Sequence, residues 1–282
     1  MKNIKKKIEL LKNYFAGQQN VSMAFLFGSQ IKNTATAESD FDIAVYFQPK
    51  NKELEWEGTD YYVNEDKIWL EVEKIIGASV DFVVLNRAPS TIAFAVLHNN
   101  EQLIIKDRSL YLRFFLAISF AAEYFRDFTL DFWTIKQRSM SLNEIDRERL
   151  IRVVDFLETE IADYSKFVNI TQKIYESDAI SRRNLERWAE NIVNSSIDVA
   201  KIVLASGKKK IPQTYREILQ ELSLLDNFDL DVAEKLAQFA KLRNILAHEY
   251  LDIRFNLLKK FVVESELVYR KLICFTKIFL SY

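Results

Sequence analysis

The 282 residues are 49% hydrophobic and 28% charged with a net charge of -1, which leaves ample apolar material for a core and sets up no chain-wide basic field toward nucleic acid. Two histidines far apart and a single cysteine, Cys274, exclude a zinc site built from several imidazoles or thiolates and any intrachain disulfide, and fit a reducing compartment. Five glycines cannot assemble either G-x-G-x-x-G or G-x-x-x-x-G-K-[ST], so any phosphate chemistry must use another loop.

In chain order, Ile4, Ile8, Leu11 and Phe15 fall on one stripe, which predicts an amphipathic helix rather than a cleavable leader. Val21 to Ser29 is a compact apolar run ending in Gly-Ser, and Phe41 to Phe47 a second strand candidate rich in β-branched and aromatic residues. A polar stretch from Gln48 to Asp66 reads as loop. Lys67 to Ile76 has helical spacing, Val80 to Asn86 reads as a third strand and Gln102 to Ile105 as a fourth. The expected fold of residues 1–108 is α+β, a mixed sheet with helices packed on it.

Leu110 to Gln137 predicts a long aromatic helix, with 109–139 as a connecting segment. Arg113, Glu123 and Arg126 make it too charged to span a bilayer, so a cytoplasmic location is the default. Residues 140–282 read as an all-α bundle. Ser141 and Glu144 match a capping box opening a helix to about Asn169, with an apolar stripe at Leu150, Val154, Leu157, Ile161, Tyr164 and Val168. Ser181 to Ser206 follows, with Gly207 placed as its C-terminal cap. Asp231 and Glu234 form another possible box, and a last helix spans Phe255 to Phe279.

The strongest chemical signal is GSQIKNTATAESDFD. Gly28 and Ser29 close the first strand, and Asp40-x-Asp42 opens the second. Alternation in an extended strand puts both acids on one face. Such a pair needs a partner, and a hard divalent cation sharing triphosphate oxygens supplies one. Gly28 allows close backbone approach to a phosphate, and the Ser29 hydroxyl can bind its oxygens. Asp81, near the start of the third strand, is placed to complete a metal site or to take a proton from an attacking hydroxyl. Read blandly, the acids are solubilising charges at a strand edge and Gly28-Ser29 is an ordinary turn.

This pattern resembles the minimal nucleotidyltransferases (MNT) of the DNA polymerase β superfamily, over about residues 15–108. The resemblance implies that Gly28 and Ser29 hold the triphosphate of ATP, that Asp40 and Asp42 bind Mg²⁺, and that Asp81 is the third carboxylate. It implies transfer of a nucleoside monophosphate to a hydroxyl, with pyrophosphate leaving.

A second signal is LRNILAHEYLD, near the end of a predicted helix. Arg243 and His248 lie roughly 140° apart around the helix axis, so one chain makes an awkward acid–base site and two facing chains a better one. On spacing alone, His248 reads as a helix-dipole partner and Arg243 as a surface charge. The segment resembles the R-x4-H-x-Y motif of the HEPN superfamily, specifically the toxin ribonucleases paired with MNT antitoxins, over about residues 140–265. That resemblance implies a metal-independent endoribonuclease in which Arg243 and His248 act across a homodimer, on RNA that includes tRNA among its candidates. It also implies that Tyr250 is the tyrosine modified with AMP. The partners are usually separate chains, so their fusion is a departure. For RNA contact the candidates are Lys208, Lys209 and Lys210 and the group Arg182, Arg183 and Arg187, although such runs are more often a solvated face.

Two other readings stay open on the residues. The nucleotidyltransferase acts on a small molecule such as an aminoglycoside, with the helical part as acceptor wall; or the N-terminal domain is a non-catalytic nucleotide-binding clamp.

Overall fold

Four apolar segments become strands because each can bury side chains against helices. In the computed structural model, which describes residues 2–30, 41–50, 54–138, 142–248 and 255–281, these are β1 (Val21–Phe27), β2 (Phe41–Phe47), β3 (Val80–Val84) and β4 (Asn100–Ile105). Helices α1 (Lys2–Gly17), α2 (Glu65–Ile76), α3 (Ser90–His98) and α4 (Arg108–Gln137) surround and connect them. The sheet order is β3-β2-β1-β4. β1 runs antiparallel to β2 and β4, and β2 parallel to β3, so the sheet is mixed as expected.

Both faces are covered, which explains why β1 and β2 read as nearly continuous apolar runs. On one face, Leu11 and Phe15 of α1 and Ile68, Val72 and Ile76 of α2 pack on Leu26, Ile43 and Val45. On the other, Met23, Phe25, Ala44 and Tyr46 meet Ala93, Val96 and Leu97 of α3 and Phe114 and Ile118 of α4. Loop residues Leu54 and Trp56 complete that second cluster.

The chain forms two units, Met1–Phe125 and Arg126–Tyr282. The second holds the C-terminal half of α4 with α5 (Glu144–Ala162), α6 (Tyr164–Phe167), α7 (Gln172–Ser177), α8 (Ala179–Ser206), α9 (Tyr215–Glu221), α10 (Leu230–His248) and α11 (Phe255–Ser281). Among its described residues there is no strand. α8 is the central helix and packs against α5, α9, α10 and α11. Of the predicted α5 stripe, Leu150, Val154, Leu157 and Ile161 are buried, whereas the helix stops before Tyr164 and Val168. Within this unit an ionic network joins α4, α5 and α8: Asp131 takes the Nη1 and Nη2 groups of Arg149 at 3.1 and 2.8 Å, and the buried Lys201 of α8 at 2.9 Å.

Several predicted helix ends move. Asn143 caps α5, its side chain accepting from Asp146 N at 2.9 Å; Ser141 lies outside the described residues. Asp229, not Asp231, caps α10, accepting from Asp231 N at 2.9 Å. Gly207 does close α8 through bonds to Ala205 O and Val203 O, but its φ is -75°, and the left-handed conformation falls on Lys208 at φ 59°. No described helix is long and apolar enough to cross a membrane.

Candidate functional site

The first constellation forms where β1 ends and β2 and β3 begin. Phe27 is followed by a single 3₁₀ turn, Gly28–Gln30. In the β1–β2 ladder Phe27 sits opposite Asp42, so the Asp42 side chain lies beside the chain as it leaves β1. Gly28 has φ 78°, a conformation that L residues other than glycine avoid. A Cβ built on Gly28 would stand 1.9 Å from Asp42 Oδ2 and 2.5 Å from its Cγ, so the carboxylate occupies the space a side chain would need. Glycine is required there twice over, for its backbone angle and for contact.

Asp81 is the register partner of Asp42 across the parallel β2–β3 pair. Cross-strand partners share a face, so the two carboxylates stand side by side, about 5 Å apart at their backbones. Asp42 is half-buried and Asp81 exposed, while Ser29 sits half-buried in the turn. The structure thus brings Gly28, Ser29, Asp42 and Asp81 to one edge; Asp40 lies outside the described residues. Among the described residues no group of three or more His, Cys, Asp or Glu could hold a metal ion. Asp42 and Asp81 alone contribute two hard oxygen donors at one edge, the ligand type that Mg²⁺ prefers.

The second constellation lies in the helical unit. Arg243 is not a surface charge: it is 7% exposed, with its guanidinium over the ring of Tyr215 at 4.5 Å. Tyr215, itself buried, meets Phe128 of α4 edge-on at 5.4 Å and 79°. It is the first residue of α9, whose start is fixed by Thr214 accepting from Glu217 N at 3.0 Å and by Gln213 N donating to Glu217 Oε2 at 2.6 Å. The motif spacing carried no sign of Tyr215 as the support of Arg243, because the two are far apart in sequence. His248 closes α10, and its side chain, like Tyr250, lies outside the described residues.

Three of the six basic side chains in the two runs, those of Lys208, Arg182 and Arg187, are bonded within the fold. Lys208 Nζ donates to Lys136 O and, at 3.2 Å, to Arg138 O, capping the C-terminus of α4. Lys136 Nζ returns a bond to Lys209 O at 2.8 Å. Arg187 pairs with Glu190 at 2.9 Å, and Arg182 donates to Tyr175 O at 3.4 Å.

The first unit, a mixed four-stranded sheet with a glycine turn set against an acid on the next strand, is consistent with a nucleotidyltransferase fold, and the second is a helical bundle. Residues 9–109 match the family described as polymerase beta, nucleotidyltransferase, and residues 157–273 the family described as ribonuclease HepT-like. The chain therefore joins a polymerase β-type nucleotidyltransferase domain to a HEPN-type, HepT-like domain. Solved structures of toxin–antitoxin proteins are similar to part of it, two of them as follows. One is a toxin–antitoxin with AMP-PNP, 19% identical over 43% of this chain and 90% of its own, with a TM-score of 0.35. The other is a tri-AMPylated Shewanella oneidensis HEPN toxin in complex with MNT antitoxin, 17% identical over 43% and 90%, with a TM-score of 0.32. Likeness at this level carries no functional argument. No curated protein matches the chain.

Proposed function

We propose that the N-terminal domain transfers AMP from ATP to Tyr250, in its own chain or in a dimer partner, and so restrains a ribonuclease whose site is made by Arg243 and His248. The observation that carries this reading is the seating of the Asp42 carboxylate against Gly28 with Asp81 in register beside it. The two family matches in one chain, with an acceptor tyrosine two residues after His248, support the rest.

In this reading the turn N–H groups and the Ser29 hydroxyl hold the triphosphate oxygens, and Gly28 keeps the approach open. Asp40 and Asp42 would hold Mg²⁺, which when bound neutralises negative charge around the reacting phosphate. The Tyr250 oxygen forms a bond to the α-phosphorus, the bond to pyrophosphate breaks, and in this reading Asp81 takes the phenolic proton. The product sets a phosphodiester charge and an adenosine beside His248, which blocks an RNA phosphate sterically and by repulsion. In the unmodified protein Arg243 stabilises charge on the phosphorane and His248 moves the proton, without a metal. A homodimer through the helical domain would bring the two residues of facing chains together; RNA, tRNA included, is the substrate class, in the cytoplasm.

Incubation of the full chain with α-labelled ATP and Mg²⁺, followed by peptide mapping, tests it. Label is expected on Tyr250 in the wild type and absent in Asp42→Ala. No label on Tyr250, with the two proteins behaving alike, rejects the proposal.

A further inference from the structure

The last turn of α3 comes to the same sheet edge as Asp42. Asn100, the first residue of β4, sits opposite Phe27 in the β1–β4 ladder, and Phe27 sits opposite Asp42 in the β1–β2 ladder. Two strand spacings, about 10 Å, therefore separate Asn100 from Asp42. The Asn100 amide donates to Val96 O at 2.8 Å and Leu97 O at 3.0 Å, which ties the end of α3 to that strand. By alternation Asn100 and Phe27 project to the face that Asp42 also uses, the face on which α3 and α4 pack.

His98 ends α3 at this point. It is exposed, yet three contacts hold it. Its Nδ1 bonds Phe94 O at 3.1 Å, its ring lies 3.8 Å from that of Phe94 at 31°, and 5.0 Å from that of Phe115 on α4 at 25°. A carbonyl can only accept, so Nδ1 carries the proton, and in the neutral ring Nε2 is left as an acceptor. Phe94 and Phe115, the two rings against His98, are each only partly buried, as is Phe27 at the end of β1. An exposed imidazole held by two neighbouring rings and one nitrogen keeps its other nitrogen for something outside the fold.

We propose that His98, held against Phe94 and Phe115, reads the base of the nucleotide. Its Nε2 accepts from the exocyclic amino group of adenine, and the partly exposed rings supply the stacking surface. This rests on the nucleotidyltransferase reading and extends it to base choice. Guanine offers a carbonyl oxygen at the corresponding position, which would set acceptor against acceptor. A site built to receive a donor rejects the base that lacks one.

The test is binding of α,β-methylene-ATP and α,β-methylene-GTP to the full chain with Mg²⁺, followed by titration calorimetry, with melting curves to confirm that each variant folds. The wild type is expected to favour the adenine nucleotide by about tenfold, the size of one hydrogen bond plus the penalty of a mismatched one. His98→Phe keeps a ring in the stack and removes the acceptor, so the preference collapses toward one while guanine affinity holds. Phe115→Leu weakens both nucleotides together, by about fivefold or more. Retention of the wild-type preference in His98→Phe overturns the inference. If Asp42→Asn still weakens both nucleotides in that case, base reading by His98 is wrong and the nucleotide site stands. Failure of the wild type to bind either nucleotide overturns both.

Discussion

The carboxylate of Asp42 fills the position that a Cβ on Gly28 would take, with Oδ2 1.9 Å from that point. The turn after the first strand and the acid of the second are thus in contact, and a side chain at position 28 would have to move the carboxylate.

Gly28→Ala is expected to displace the Asp42 carboxylate and to reduce nucleotide binding and AMP transfer at least tenfold. The left-handed backbone alone costs about 1 kcal/mol. Gly77 provides the control: it has φ 68° and closes α2, but a Cβ there meets nothing within 4 Å. Gly77→Ala should therefore lose similar stability and keep transfer. Melting temperatures and label incorporation for the pair separate the two costs. Equal loss of transfer in both variants would show that the contact with Asp42 is not what matters.

The stacking of Arg243 on Tyr215 predicts a second split. A cation–π contact shielded from water contributes up to about 2 kcal/mol. Tyr215→Leu is expected to reduce RNA cleavage roughly tenfold while Tyr215→Phe, which keeps the ring, cleaves within about threefold of the wild type. The measurement is single-turnover cleavage by protein that carries no AMP, beside its melting curve. If Arg243→Ala abolishes cleavage and Tyr215→Leu does not slow it, the ring is packing and nothing more.

Much of this framework was readable before any coordinates. Strand-forming runs around Phe25 and Ile43 announced themselves because both faces of the sheet are covered, and the α5 stripe announced the seam it packs along. α3 was missed: STIAFAVLH is apolar almost all round, so it carries no 3.6-residue period to find. The capping boxes at Ser141 and Asp231 failed for another reason. Asn143 and Asp229 stand two residues away and are equally competent acceptors, and local chemistry cannot choose between them. Gly28, Ser29 and Asp42, which the fold brings to one edge, were legible as part of a motif because they flank two successive strands. The burial of Arg243 and the capping of α4 by Lys208 depend on residues distant in sequence, which no local pattern reports.

The ionic network predicts a pH dependence. Partial burial pushes the Asp131 carboxyl up, but hydrogen bonds and charge from Arg149 and Lys201 outweigh it and lower its pKa from 3.8 to about 2. A depressed folded pKa means stability that is fully present above the unfolded value and is lost as pH falls through the folded one. Its contribution should thus hold at pH 5 and vanish between about pH 4 and pH 2. With allowance for solvent screening it amounts to about 1 kcal/mol. Asp131→Asn is expected to melt several degrees below the wild type at pH 7, with the gap closing in that acid window. A gap that stays constant down to pH 2 would contradict the assignment.

Asp42 and Asp81 are register partners, yet their exposures differ, and so should their variants. Asp42 is half-buried against the turn proposed to hold the triphosphate, so Asp42→Asn should weaken nucleotide binding and transfer together. Asp81 is exposed on the next strand, farther from Gly28, where it can meet the incoming hydroxyl. Loss of a proton acceptor slows the chemical step by about 10² to 10⁴ without removing substrate affinity. Asp81→Asn should therefore bind α,β-methylene-ATP within about threefold of the wild type while transfer to Tyr250 falls at least a hundredfold. Parallel loss of affinity in both variants would instead make Asp81 a metal ligand like its neighbour, and wild-type transfer by Asp81→Asn would remove it from the site.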